Sequence, residues 1–107
     1  MAHYLIQAAY TSDAWAAMVK GPQNRIEAIR PAVEALGGKV VGGWFAFGEY
    51  DVVAVLDMPD NVSAAAFSIA AAAGGAVKAL KTTPLMTMDE GISAAKKASG
   101  AGYRPPS

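Results

Sequence analysis

The sequence predicts an α+β domain: one four-stranded antiparallel sheet with helices on one face, ordered β-α-β-β-α-β, and a further helix at the end. Three observations predict it. Two segments, "RIEAIRPAVEALGG" and "VSAAAFSIAAAAGG", have helical character, and each stops at a glycine pair. Between them, "KVVGGWFAF" and "YDVVAVLDM" are apolar, partly β-branched runs separated by Gly48-Glu49, which reads as a hairpin. Outside this unit, "HYLIQAAY" and "AVKALKTTPLMT" supply the first and last strands. The arrangement is the split βαβ, or ferredoxin-like, one.

The first strand, residues 3–10, ends at Thr11-Ser12-Asp13, where Ser12 is the expected N-cap of a short helix through "AWAAMVK". Gly21-Pro22 breaks that piece. Asn24 then caps a second helix, in which Ile26, Ile29, Val33 and Leu36 recur at helical spacing. Pro31 removes one hydrogen bond from it, but the apolar stripe continues beyond and the helix is kept. Strands follow at 39–47 and 50–58, with Gly48 expected in an unusual backbone conformation that a valine would strain. Asp60 or Asn61 caps the third helix, whose alanines favour helix and allow close approach to a sheet. The fourth strand is read over 76–87 with Pro84 near its end, and "TMDE" is a capping box opening a helix to about Ala98. Residues 1–98 thus form the domain. Residues 99–107 form a tail, in which Tyr103 and Arg104 are expected to dock on a neighbouring subunit.

At 107 residues the chain is one domain. It has no cysteine and one histidine, which excludes disulfides, thiolate chemistry and the usual zinc sites. Nine basic residues balance nine acidic ones, so no general field draws it to nucleic acid or an anionic membrane. No cofactor or metal is expected, and no phosphate-loop spacing is present. The N-terminus lacks the basic region of a signal peptide, no apolar run is long enough to span a bilayer, and a cytoplasmic location is the default expectation.

Hydrophobic residues make up 53% of the chain and charged residues 17%, against about 25% charged in typical domains. The strands alternate only weakly. Counting by twos puts Val41, Phe45 and Phe47 on one face of the second strand and Val40, Trp44 and Ala46 on the other. On the third, Val52, Ala54, Leu56 and Met58 oppose Val53 and Val55. Helices cover one sheet face, so the other calls for a partner, and a homodimer or higher oligomer is expected.

The stretch "FGEYDVVAV", preceded by "LGGK" and by a first strand ending in "YT", resembles the GYD-domain family. The family's Gly-Tyr-Asp element corresponds here to Gly48-Glu49-Tyr50-Asp51, with Glu49 interposed. The resemblance extends over roughly residues 3 to 97 and implies a ferredoxin-like fold of the dimeric α/β-barrel type. It implies no particular activity.

Candidate site residues fall in two groups. His3, Gln7, Trp44, Glu49, Tyr50 and Asp51 are polar or aromatic groups at strand positions or at the hairpin, suited to a ligand at the sheet or between subunits. The hairpin group also reads as a plain turn, with Tyr50 and Asp51 directed to opposite faces. Lys20, Asn24 and Arg25 surround a helix start and form a candidate anion site, against the simpler reading of an Asn cap after a Gly-Pro break. Three functions follow in order: an oligomeric module binding a small molecule in a cavity at the sheet or subunit interface; a cofactor-independent enzyme of monooxygenase or isomerase type, by analogy of fold, on a small apolar substrate; and a purely structural assembly module.

Overall fold

The computed structural model describes all of residues 1–107. Its elements are β1 (Ala2–Tyr10), α1 (Ser12–Lys20), α2 (Arg25–Ala35), β2 (Lys39–Phe45), β3 (Val52–Met58), α3 (Asn61–Ala73), β4 (Val77–Pro84) and α4 (Met88–Ser99). The antiparallel strands lie in the order β2-β3-β1-β4, the ferredoxin-like topology the sequence predicts.

Local chemistry sets the helix boundaries. Thr11, not Ser12, caps α1: its hydroxyl accepts from the Ala14 N–H, and Ser12 is already the first helical residue. The Asn24 side chain accepts from the N–H groups of Ile26 and Glu27, and α2 runs through Pro31 to end near Gly37, whose φ is +83°. Asp60 caps α3 through the Ser63 N–H. Thr87 and Glu90 form a reciprocal capping box at α4.

The core lies between the sheet and the pair α2 and α3. Tyr4, Ile6, Val40, Ala54, Leu56 and Met58 rise from the strands to meet Val33 of α2 and Ala64 and Phe67 of α3. A bond from the Tyr4 hydroxyl to Asn61 Oδ1, and one of 2.6 Å between the Ser68 and Thr82 hydroxyls, tie α3 to the sheet. No helix is long and apolar enough to cross a membrane.

Two expectations about the hairpin are corrected. The connection is not a two-residue turn: β2 stops at Phe45, β3 starts at Val52, and the intervening loop closes with a 2.8 Å bond from the Ala46 N–H to the Asp51 carbonyl. Phe47, fully exposed, has nothing to pack on, so the strand gains nothing by continuing. Gly48 has no positive φ, and a side chain built there would meet no atom within 4 Å.

The face assignment of β2 is also corrected. Val40 pairs with Leu56 but Gly42 pairs with Val55, so Val41 is the extra residue of a β-bulge. Parity inverts beyond it. Gly43 and Phe45, opposite Ala54 and Val52, share the helix-covered face with Val40, while Gly42 and Trp44, opposite Val55 and Val53, share the open face. Gly43 is needed there, because a Cβ would lie 2.2 Å from Ile26 Cδ1 on α2.

Helix α4 leaves the body of the domain. It has no buried residue, and Met88 and Ile92 are exposed. The radius of gyration is 16.9 Å, against roughly 13 Å for a compact chain of this length. Beyond α4 the tail is exposed and has no regular structure.

Glycine substitutions separate these readings. A Cβ on Gly38 would lie 2.7 Å from the Asp57 carbonyl oxygen and 2.4 Å from Met58 Sδ. Gly38→Ala is therefore expected to destabilise by about 1–3 kcal/mol, lowering Tm by on the order of 5–15 °C. Gly48→Val should stay within about 0.5 kcal/mol of the parent. Thermal melts of the two variants check both, and the reverse ranking contradicts the loop geometry.

Candidate functional site

Between the sheet and helices α2 and α3 the core does not close. A cleft of about 320 Å³ remains, at the small end of the range for ligand sites. Its floor is Ile6, Ala8, Tyr10, Val52, Ala54, Val77 and Leu80. One wall is α2, through Ile26, Ile29 and Ala32, and the other is α3, through Phe67, Ala70, Ala71 and Gly74. The reason is local. Beyond Phe67, α3 presents only alanine and glycine, so nothing on this wall reaches across to α2. Of seventeen lining residues fifteen are hydrophobic, and Arg25 carries the only charge.

Arg25 stands at the first turn of α2, half-buried. Its guanidinium donates to the amide oxygen of Gln23 at 2.9 Å and has no carboxylate within salt-bridge distance. Arg25 and Tyr10 also line a smaller recess of about 170 Å³ against α1, with Ala14, Ala17 and Met18. Both groups therefore stand where the two spaces adjoin.

Of the other predicted residues, Asn24 and Trp44 line a separate recess of about 300 Å³ with Arg25 and Phe45, and none lines the cleft itself. His3, Gln7 and Trp44 stand on the open face of the sheet. There His3 pairs across strands with Asp57 and bonds its carboxylate, Gln7 lies opposite Val53, and Trp44 lies over Gly42. Glu49 and Tyr50 are in the hairpin loop. Asp51 is a buckle: its carboxylate accepts from the Tyr10 N–H at 2.8 Å and from the Trp15 indole N–H at 3.3 Å, and its own N–H donates to the Ala8 carbonyl. These bonds tie the hairpin to the end of β1 and the start of α1, where Trp15 packs edge-on against Tyr10 and near Phe45. None of these six residues lines the cleft. In the second group, Asn24 uses its side chain on the helix-start N–H groups, Lys20 is exposed at the end of α1, and Arg25 alone reaches the cleft.

Perturbed ionisation also lies outside it. The backbone N–H of Ser63 holds the Asp60 carboxyl below its ordinary pKa, and that of Thr87 does the same for Glu90. The Arg30 guanidinium lowers Glu27, which raises Arg30 in turn. These are helix caps and a surface ion pair. No group of three or more histidine, aspartate or glutamate side chains is disposed to hold a metal ion.

The sheet order and the paired crossover helices define a ferredoxin-like α+β domain with an apolar cleft on its helical side. The chain belongs to the GYD-domain family, whose model matches residues 4–95. No curated protein matches it.

The residues lining the cleft, Arg25 apart, were not predicted as a site. Alanine, isoleucine and valine at core spacing signal packing, and a space left between two small-residue walls has no motif. The long alanine run in "SAAAFSIAAAAGG" was the one available sign that a wall would be shallow.

Proposed function

We propose that this protein is a self-associating binding module that takes a small apolar molecule into the cleft between the sheet and helices α2 and α3. The apolar lining of that cleft is the observation that carries the reading. Burying apolar surface there is favourable at roughly 25 cal/mol per Å², and the walls are already held apart by folded elements, so little ordering is required of the protein. The ionisable groups of the lining, Tyr10 and Arg25, are suited to holding a polar end. His3 and Asp57, the pair best suited to proton transfer, stand on the opposite face of the sheet, which favours binding over catalysis in the cleft.

Self-association rests on that opposite face. Leu5, Val53 and Val55 form its half-buried centre, Trp44 is 60% exposed beside them, and no helix covers it. His3, Lys39, Asp57 and Lys81 supply a polar rim. An apolar centre with a polar rim is the anatomy of an interface, and a second copy supplies a sheet of matching twist. Helix α4 and the tail, with Met88, Ile92 and Tyr103 exposed, extend the surface available to that copy.

Two measurements test the two parts. Nile red fluorescence should rise on binding to the parent protein and be lost in Ala71→Trp, which fills the cleft from α3 while far-UV circular dichroism stays unchanged. Equal uptake by the variant would place the dye elsewhere and remove the support for a cleft site. In sedimentation velocity at micromolar concentration the parent should run as a dimer or larger, and Val53→Lys should shift it toward monomer. A parent that sediments as a single 11.0 kDa species contradicts the interface.

A further inference from the structure

We infer that the ligand of this cleft is an amphiphilic anion: a small apolar body carrying a carboxylate, with the carboxylate held by Arg25 and the Tyr10 hydroxyl. The inference rests on the cleft being a binding site and adds what the ligand's polar end must be.

Arg25 lacks the partner that its position calls for. An arginine drawn half out of water among alanine and isoleucine side chains loses hydration, and such a cation is ordinarily compensated by a carboxylate. The only other arginine in a folded element, Arg30, has that partner in Glu27 at 2.9 Å. Arg25 has only the neutral Gln23 amide. A guanidinium offers five donors in a planar fork, so most of its donor capacity remains for an incoming group.

Tyr10 supplies the second part. The residue is 7% exposed as a whole, and its phenol hydroxyl, which has no partner within the chain, is left open to solvent and free to donate, since no buried polar side-chain atom goes unpartnered. It lines the same two spaces as Arg25. A carboxylate can take a forked pair of N–H groups on one side and an O–H donor on another. A phosphate needs more compensation than one cation gives, and the lining holds no second one. An amine or other cation would meet Arg25 as a like charge. The apolar remainder of the lining fixes the other end of the ligand, because an unpaired polar group there would find no partner.

The inference also accounts for a feature that otherwise has no use. Asn24 already satisfies the N–H groups at the start of α2, so Arg25 is not needed to finish that helix.

Competition against Nile red tests this with two probes of the same chain length at neutral pH, octanoate and 1-octanol. On the parent protein octanoate should compete roughly tenfold better than octanol, the lower end of what a charge-assisted bond contributes, and the advantage should shrink as salt is raised. In Arg25→Gln the ratio should fall to about one. Competition by octanol with no preference for octanoate, or a preference that survives in Arg25→Gln, overturns the anion assignment while the cleft remains a binding site. Failure of both probes to displace the dye overturns the anion assignment and the cleft reading together.

Discussion

The bulge at Val41 decides which side of the sheet the rest of β2 serves. One extra residue inverts the alternation, so Gly43 comes under α2 and Trp44 faces outward. Both consequences matter to the site. With Gly43 bare, Ile26 can settle against the strand and bring the first turn of α2, and with it Arg25, over the sheet. With Trp44 outside, an indole occupies the open face and not the space that becomes the cleft. A β2 without the bulge would place Trp44 toward the helices and move its glycines out of register with Ile26.

The two faces of the sheet then differ in what they present. The helical face holds the core at one end, around Leu56, Met58 and Val33, and loses density toward the other, where α3 offers only alanine and glycine against α2. The lost packing is a cost to the isolated fold, since cavities forgo dispersion contacts on their lining. An apolar molecule of the proposed kind would restore those contacts. The open face carries apolar groups that only another surface can bury. Twelve of 107 residues are buried, so much of this chain's apolar surface stays exposed in the single chain.

The fold was legible in the sequence because each element carries its own boundary signals. Asn24, Asp60 and the Thr87–Glu90 box each cap the helix they were expected to cap, and Gly37 and Gly74 mark the ends of α2 and α3. The first cap lay one residue off, because Thr11 and Ser12 are chemically equivalent in that role and backbone geometry decides between them. The bulge was not legible. It depends on a pairing register between two strands, and counting residues by twos along one of them cannot reveal it. The hairpin misled for a related reason. "FGEYD" has the composition of a tight turn, but Asp51 is drawn to the Tyr10 N–H and the Trp15 indole, contacts with parts of the chain about forty residues away. Arg25 was singled out for the helix start it sits on. Its place in the cleft follows from tertiary packing that the local sequence does not encode.

The proposed ligand site lies on the helical side of the sheet and not on the open face. Methyl-resolved NMR titration with 1-octanol reads this directly, because both faces carry methyl groups on the same strands. With ligand in the cleft, shifts are expected at Ala8, Ile26, Ala54 and Ala71, with Leu5, Val53 and Val55 unmoved at subsaturating ligand. Shifts confined to Leu5, Val53 and Val55 would place the ligand on the open face and contradict the cleft site.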